Sequence, residues 1–439
     1  QSEIDQTAFT LVDENGNEQE ITSINQNDVL GDGGSVKFAY DKTKKKGTLT
    51  LTNATLSSDM NFPINADGIE VLEIVLVGKN RIFAEGDVCI VANDLIFSGT
   101  GSVEIVSGEY AYVMPTIDCY GGITVNGGSV RVVGRNYAVW AEDSVTVNSG
   151  RLTLIATDIA DADTRALDST ADQPFVLGSG LTLVSGTWPD GTNIVLTSAT
   201  DSGKIALARY LRIVPSHTHC LCGDSTYDGH AAHTDVAWLP WAATDSLPTL
   251  AGYYYLEDDV TLPAGVIRLP DGVVLCLNGK HIRGAEGDAA CITVNGTLSL
   301  TDCSATGSIG NVTLASGKLT MWGGKIAENT TLLVDPGNAF TMQGRAVNEG
   351  YLIITGNSGL IMDGNAKNRG VIQLMETAGA GNIVFRGYAE GGVVRIAQPQ
   401  EDAGIRVVGN AKIAELIGVS SSAIRLVMQD DAEIGRVEN

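Results

Sequence analysis

The sequence is poor in several residue types, and two of its shortages exclude a membrane-spanning segment and a nucleic-acid partner. Only 11 of its 439 residues are proline, only 5 are histidine, and aromatic residues make up 6%. No stretch of about 18 apolar residues occurs, so no segment is predicted to insert into a membrane. Basic residues number 28 against 52 acidic ones, which gives a formal net charge of −24. Such a chain repels nucleic acid, which is therefore excluded as a predicted partner.

Glycine and aliphatic residues are abundant, with 52 glycines and a hydrophobic content of 44%. This mix favours strands joined by tight turns. Six segments of the C-terminal half alternate apolar and polar residues before a turn residue, at spacings of 21, 20, 23, 22 and 21 residues. The six turn residues are Gly323, Gly344, Gly364, Gly387, Gly409 and Asp430.

A fixed period of this length indicates a solenoid. Helical repeats have longer periods, and the chain shows no apolar stripe with a period of 3.6 residues. Coils of two or three short strands, stacked about 4.8 Å apart, fit the period. Glycine, and to a lesser degree aspartate, accepts the positive φ that sharp turns require. The sequence therefore predicts an all-β protein of right-handed parallel β-helices.

The same alternation continues less regularly in the N-terminal half, where Ile123 and Val145 are 22 residues apart. The polar or irregular segments 109–120 and 157–175 are predicted to be loops that leave the coils. The predicted regions are a β-hairpin cap at 1–34 with its turn at Asn15-Gly16, a first β-helix at 35–214, a linker and cap at 215–260, and a second β-helix at 261–439.

The predicted linker holds most of the histidine. Two thiolates and two imidazoles suffice for a tetrahedral zinc site, and the predicted ligands are Cys220, Cys222, His230 and His233. His217 and His219 alternate on a strand-like stretch and are alternative ligands. Such a site would be closed and structural, and would fasten a segment too short to build its own core. The alternative interpretation is that the histidines are solvated and the cysteines are free or disulfide-bonded.

Two further groups of residues, the cysteines of the second half and one acidic segment, each allow two interpretations. Cys276, Cys291 and Cys303 are predicted as buried free thiols, and the alternative is a disulfide between neighbouring coils, such as Cys276 with Cys303. The segment "DIADADTR" (158–165) is either an acidic surface loop or a calcium site built from Asp158, Asp161 and Asp163.

Large aromatic residues are concentrated in and beside the predicted linker. They are interpreted either as a platform on which sugar rings stack or as buried residues that cap a solenoid end. The residues predicted for glycan binding are Trp238, Trp241, Tyr253 and Tyr255.

Several segments together resemble modules of large secreted, surface-attached proteins of anaerobic Gram-positive, clostridial-type bacteria. These segments are "YDKTKKKGTLTLTNATL", "HTHCLCG", "WLPW", "LPTLAGYYYLEDDVTL", "VVLCLNGKHI" and "ITVNGTLSLTDCSATGSI". The resemblance covers roughly residues 36–320. It implies an extracellular, cell-surface setting and a module that is often described as carbohydrate-binding.

The expected function is that of a non-catalytic, secreted cell-surface protein, monomeric, acting in adhesion or in binding a polysaccharide, host or cell-wall glycan. A polysaccharide lyase or hydrolase is the first alternative, because hydrolases need two acidic side chains that this chain offers in several pairs. A structural spacer within a larger surface protein is the second.

Overall fold

The computed structural model describes residues 9–60, 62–86, 88–110, 113–222, 234–287, 289–375, 383–397, 403–418 and 424–438. The chain forms two compact units, Gln1–Ser216 and His217–Asn439. Their boundary falls inside the predicted linker. In the described ranges the helical content is one short helix, Ser202–Leu207, which begins where the Asp201 side chain accepts a hydrogen bond from the Lys204 backbone N–H.

The first unit is built from two sheets. The strands of the larger sheet are Thr10–Val12, Glu18–Gln19, Val36–Asp41, Lys46–Thr52, Ile64–Val77, Ile90–Gly99, Pro115–Cys119, Ile123–Val125, Tyr137–Ala141, Val145–Val147, Arg165–Ser169 and Phe175–Leu177. Those of the smaller sheet are Thr55–Ser58, Lys79–Ala84, Ser102–Ser107, Ser129–Gly134, Arg151–Ala156, Leu181–Gly186, Val195–Thr197 and Tyr210–Pro215.

Most neighbouring strands of the first unit are parallel and belong to successive coils. Ile123 is the register partner of Val145, as the 22-residue spacing predicts. The predicted hairpin is confirmed, since Thr10–Val12 and Glu18–Gln19 pair antiparallel and Gly16 has a φ of +81°. The hairpin also pairs with the strand Ile64–Val77, so it covers an edge of the larger sheet.

The prediction of loops at 109–120 and 157–175 is wrong in part. Pro115–Cys119 and Arg165–Ser169 are strands that both pair parallel with Tyr137–Ala141. Each contributes only two or three buried apolar residues, such as Ala166 and Leu167. Strands this short leave too little alternation in the sequence to stand out from their polar surroundings.

The second unit has the more regular coils. Its largest sheet contains Leu239–Trp241, Gly252–Leu256, Val266–Pro270, Val273–Cys276, Ala290–Thr301, Val312–Met321, Thr331–Val334, Ala339–Met342, Tyr351–Thr355, Gly359–Met362, Val371–Met375, Ile383–Phe385, Val393–Ala397, Ala403–Val407, Lys412–Ile417, Ile424–Met428 and Glu433–Glu438. A second sheet contains Val260–Leu262, His281–Gly284, Ser308–Gly310, Lys325–Ile326, Val347–Asn348 and Lys367–Asn368. Thr218–His219 and Val236–Ala237 form a separate antiparallel pair.

The strand register of the second unit reproduces the sequence period. One stack of side chains from successive coils runs through Leu319, Phe340, Leu360, Ile383, Ile405 and Leu426. The first five of these side chains are almost completely buried. Identical positions of successive coils thus build one continuous core, and the parallel β-helix is the fold of the chain.

The turn residues have the backbone conformation that the period predicts, with one correction. Gly344, Gly364, Gly387, Gly409 and Asp430 have φ values of +62°, +60°, +67°, +68° and +60°. In the first of the six segments the left-handed residue is Gly324, with a φ of +81°, rather than Gly323. Both residues of the Gly-Gly pair tolerate this conformation, so the sequence does not distinguish them.

Candidate metal centre

Four side chains of the second unit place ligand atoms within 4.8 Å of one another. They are His217, His219, Cys276 and Cys303. Among the described residues, no other group of three or more histidine, cysteine or acidic side chains places its ligand atoms close enough together to hold a metal ion.

Strand register explains why the two cysteines meet. Cys276 ends a strand of the large sheet, and its partner in the neighbouring strand is Thr301. Cys303 lies two residues beyond Thr301, so both thiols lie near the same edge of the sheet. Their Sγ atoms are 3.6 Å apart and both cysteines are free. Of the two predicted alternatives, the structure has free thiols at these positions.

The distances suit a tetrahedral ion with sulfur and nitrogen ligands. A Zn–S bond of about 2.3 Å places two sulfurs of a tetrahedron about 3.8 Å apart. The separation is 3.6 Å between the Sγ atoms of Cys276 and Cys303, and 3.8 Å between Cys303 Sγ and His217 Nε2. Little movement of these atoms is needed to fit the ion.

His219 is held in the tautomer that a ligand requires. Its Nδ1 lies 2.7 Å from the backbone carbonyl oxygen of Cys220. Because a carbonyl oxygen only accepts hydrogen bonds, Nδ1 carries the proton and Nε2 keeps a free lone pair. Nε2 is buried and has no hydrogen-bond partner in the described residues. Metal-binding histidines commonly donate their second ring N–H to a carbonyl in this way.

Two large aromatic side chains fix the imidazole rings. The ring of His217 stacks on Tyr255 with a centroid distance of 4.2 Å, and that of His219 stacks on Trp238 at 4.4 Å. Trp238 also donates a hydrogen bond from Nε1 to the backbone oxygen of His219, at 3.1 Å. Both histidines are therefore oriented by packing before any ion binds.

A buried carboxylate shapes the loop that carries Cys303. Asp302 is 2% exposed and accepts hydrogen bonds from the backbone N–H groups of Gly279, at 2.8 Å, and Gly307, at 2.7 Å. These bonds connect the loop after Cys276 with the loop after Cys303.

The pKa values of the two thiols are shifted in opposite directions. Cys276 donates a hydrogen bond to Cys303, and this bond lowers the pKa of the Cys303 thiol. Burial opposes the change, while His217 adds to the lowering. The same bond and burial raise the pKa of Cys276. Cys303 is thus the thiol that is more readily converted to the thiolate that metals bind.

The zinc ligands predicted from the sequence are only partly within the described residues. Cys220 and Cys222 are buried, with their Sγ atoms 2.9 Å apart, and they are not part of the four-residue group. His230 and His233 lie outside the described residues. That ligand set therefore stays a prediction, whereas the alternative ligands His217 and His219 do lie in a metal-type cluster. The sequence analysis missed Cys276 and Cys303 as their partners.

The predicted glycan platform needs correction. Trp238, Trp241 and Tyr255 are 1%, 2% and 4% exposed, so no sugar ring can stack on them in this structure. Their alternative role, burial at the start of a solenoid, is the one observed. Tyr253 is 39% exposed and its ring packs edge-on against Trp238.

The carboxylates of the acidic segment 158–165 in the first unit do not lie together in one cluster. Asp158 pairs with the Arg135 guanidinium at 3.2 Å, and Asp161 accepts from the backbone N–H of Asp163. Hydrogen bonds from the Ala160 backbone and from Arg135 lower the pKa of Asp158. In the described residues these side chains form no group that could hold a cation. The acidic surface loop is thus the interpretation that fits.

Comparisons with known proteins assign no relative. No family model matches the chain, and neither a curated protein nor a solved structure matches it significantly. No helix of the described residues is long and apolar enough to cross a membrane. The fold and the four-residue cluster are therefore what function must be argued from.

Proposed function

We propose that this chain is a non-catalytic β-solenoid protein of the cell surface that binds glycans, and that zinc in its second unit has a structural role. The zinc ligands are His217, His219, Cys276 and Cys303. The observation that carries the metal assignment is the buried Nε2 of His219, which has no hydrogen-bond partner among the described residues, on a side chain that lies with three other ligand side chains. An unpaired buried nitrogen costs about 1–3 kcal/mol, and a bound ion removes that cost.

Four protein ligands fill a tetrahedral zinc ion, which leaves no position for water or substrate. The role supported is therefore structural. The ion connects His217 and His219, at the start of the unit, with two loops of the first coils. Among the described residues, the strand Thr218–His219 pairs with the two-residue strand Val236–Ala237 alone, so this short segment is one that an additional link would stabilise.

The zinc proposal is tested by metal analysis and by thermal unfolding of the full chain. We expect one zinc per chain, and with cobalt in its place the visible absorption of a tetrahedral thiolate complex. At a free zinc concentration of 1,000 times Kd, the stabilisation is about 4 kcal/mol. This corresponds to an increase of roughly 8–16 °C in the Tm of a unit of this size.

Single cysteine variants identify the ligands. Cys303→Ser should lose the ion, while Cys291→Ser, which removes a thiol of the same sheet outside the cluster, should keep it. Loss of zinc in Cys222→Ser with full retention in Cys303→Ser would assign the ion to the set predicted from the sequence. Absence of bound zinc in the wild-type chain would refute both ligand sets.

The glycan-binding proposal is supported by the repetition of the coils. Equivalent positions of successive coils lie about 4.8 Å apart in rows, so one face presents a regularly spaced series of side chains to a repeating polymer. A groove of about 540 Å³ on the first unit, which includes Glu109, Arg135 and Asp158, offers hydrogen-bonding groups from three coils. The resemblance to modules of secreted surface proteins supports the extracellular location.

A glycan array incubated with calcium and, separately, with a chelator tests the binding. We expect retention of a restricted set of polysaccharides without change in their length. Absence of any bound glycan would favour the spacer, and release of unsaturated sugars would show a lyase.

One observation favours a second candidate function, glycoside hydrolysis. Asp118, Trp140 and Asp168 are register partners on three adjacent strands of the first unit. The carboxylates flank an aromatic side chain and, at the usual strand spacing, have Cα atoms about 9.6 Å apart. Burial raises the pKa of Asp118, as a general acid requires. Reducing sugars released by the wild type and not by Asp118→Asn would establish this activity.

A further inference from the structure

The outer face of the larger sheet in the first unit carries two aromatic side chains that remain partly exposed. Trp140 lies on the strand Tyr137–Ala141, and Tyr120 directly follows the strand Pro115–Cys119 of the preceding coil. Their rings meet edge-on, with a centroid distance of 6.0 Å and an angle of 68° between the ring planes. Tyr120 is 48% exposed, and Trp140 is partly exposed. We call these two residues the aromatic pair.

Alternation along the chain directs the aromatic pair away from the core. Cys119, immediately before Tyr120, is buried. Val139, immediately before Trp140, is buried as well. Because successive side chains of a strand point to opposite faces, the two rings point outward. The backbone N–H of Tyr120 donates a hydrogen bond to the oxygen of Ala92, in the coil before, at 2.9 Å. Pairing between coils therefore positions the aromatic pair, and a ligand that binds there orders few groups.

Two carboxylates flank Trp140 in the same row of the sheet. Asp118 and Asp168 are its register partners on the two neighbouring strands. Adjacent strands are about 4.8 Å apart, so each carboxylate lies one strand away from the indole. Asp118 also lies close enough to Tyr120 for its charge to raise the pKa of the Tyr120 hydroxyl. Aromatic surface and hydrogen-bond acceptors therefore occupy one patch of the sheet.

Both carboxylates have protein neighbours and still have acceptor positions for a ligand. Asp168 Oδ1 pairs with the Arg165 guanidinium at 3.5 Å, and the Asp168 side chain remains 39% exposed. Asp118, the neighbour of Tyr120, is partly exposed. A carboxylate has two oxygens with about four lone-pair positions, so one partner does not saturate it. Each carboxylate can therefore accept a hydrogen bond from a ligand hydroxyl while it keeps its present partner.

The charges of this patch favour an uncharged ligand. An anionic polymer would be repelled by Asp118 and Asp168 and by the net charge of −24. An ammonium group would be repelled by the Arg165 guanidinium beside Asp168. Hydroxyl groups are favourable, because an O–H donor and a carboxylate form a charge-assisted hydrogen bond.

We propose that this patch binds an uncharged glycan, with sugar faces against the aromatic pair and sugar hydroxyls on Asp118 and Asp168. This inference rests on the proposed glycan-binding function and names its binding site and ligand class. A sugar ring has an apolar face of C–H groups that can pack against an aromatic ring. The aromatic platform predicted around Trp238 is buried, whereas Tyr120 is accessible. The stacking surface is thus placed in the first unit.

Calorimetry of the full chain with defined hexasaccharides tests this assignment. The uncharged ones are the β-linked hexamers of glucose, mannose, xylose and N-acetylglucosamine, while hexagalacturonate is anionic and hexaglucosamine is cationic. We expect at least one uncharged hexasaccharide to bind, and both charged ones to bind at least about tenfold more weakly than the best of these. Tyr120→Ala and Trp140→Ala should each weaken that ligand about tenfold or more, because a stacking surface is lost. Asp118→Asn should weaken it about fivefold, because a neutral hydrogen bond replaces a charge-assisted one.

Trp188→Ala and Tyr351→Ala are the matched controls, because Trp188 and Tyr351 are 51% and 48% exposed and lie outside the patch. Both should bind as the wild type does. Tighter binding of a charged hexasaccharide would overturn the assignment of an uncharged ligand. Should Trp140→Ala fail to fold, Tyr120→Ala decides, since its side chain is exposed.

The failure of this inference differs from the failure of the proposed function. Glycan binding that the Tyr120 and Trp140 variants leave unchanged would overturn the assigned site and retain the proposed function alone. Absence of all glycan binding would refute both. Release of reducing sugars by the wild type and not by Asp118→Asn would assign the patch to hydrolysis instead of binding.

Discussion

Replacement of Asn348 by alanine should destabilise the second unit strongly although the side chain is small and polar. Asn348 is completely buried. Its amide donates a hydrogen bond to Asn368 Oδ1 at 2.7 Å, and its own oxygen accepts one from the backbone N–H of Gly350 at 3.1 Å. Asn368 in turn donates to the oxygen of Gly391, at 2.6 Å, in the next coil. The two asparagines therefore form a polar ladder inside the solenoid.

The size of the effect follows from what the substitution leaves behind. Asn348→Ala leaves the N–H of Gly350 and the Oδ1 of Asn368 buried without a partner. Each unsatisfied group costs about 1–3 kcal/mol, so the free energy of unfolding should fall by about 2–6 kcal/mol. For a unit of roughly 200 residues the Tm should fall by at least about 4 °C.

Calorimetry of the full chain is the suitable measurement, since the transition of the second unit can be followed beside that of the first. Asn410→Ala is the matched control, because Asn410 is exposed in a later coil, and it should change stability by less than about 0.5 kcal/mol. A Tm decrease for Asn348→Ala no larger than that of the control would refute the ladder.

Three further predictions concern the metal centre, pH and the core. Asp302→Ala should weaken zinc binding about 10–100-fold, because Asp302 holds the loop of Cys303; an unchanged Kd in a metal titration would contradict this. Burial raises the pKa of Glu73, but hydrogen bonds from Lys46 and Ser98 outweigh it and leave this pKa below its ordinary value. The stabilisation by Glu73 is therefore present above the pKa of the unfolded state and lost as the pH falls through the folded-state pKa. The Tm advantage of wild type over Glu73→Gln should accordingly shrink between about pH 6 and pH 3, and a widening gap would contradict the sign. Phe340→Ala should cost about 3–5 kcal/mol in urea unfolding because the ring is completely buried, whereas Tyr351→Ala, at an exposed position, should cost under about 1 kcal/mol.

The regular coils could be predicted from sequence because each one repeats the same local requirements. Each coil has a turn residue that tolerates positive φ, preceded by alternating apolar positions. Both features recur at a spacing of 20–23 residues, and the strand register has the same offsets. The strands Pro115–Cys119 and Arg165–Ser169 were mistaken for loops, because their partners lie in other coils and their own alternation is short.

The candidate metal centre could be predicted only in its residue types. Histidine and cysteine near residue 220 indicated a zinc site, and His217 and His219 were considered as alternative ligands. Cys276 and Cys303 are separated from the two histidines by up to 86 residues along the chain, but the ligand atoms of all four side chains lie within 4.8 Å of one another. The spacing of residues along the chain does not indicate that the histidine pair and the cysteine pair meet, because strand register is what brings them together.

The sequence by itself determined the β-helix, the coil period and the positions of most sharp turns, since these depend on interactions that recur between equivalent residues of neighbouring coils. Tertiary structure alone decided which side chains meet across coils. It placed Trp238 and Tyr255 against two histidines instead of on the surface, and it brought Tyr120 and Trp140 together on the outer face of the first unit. Local propensity specifies the coil, whereas a site depends on the exact stacking of residues from several coils.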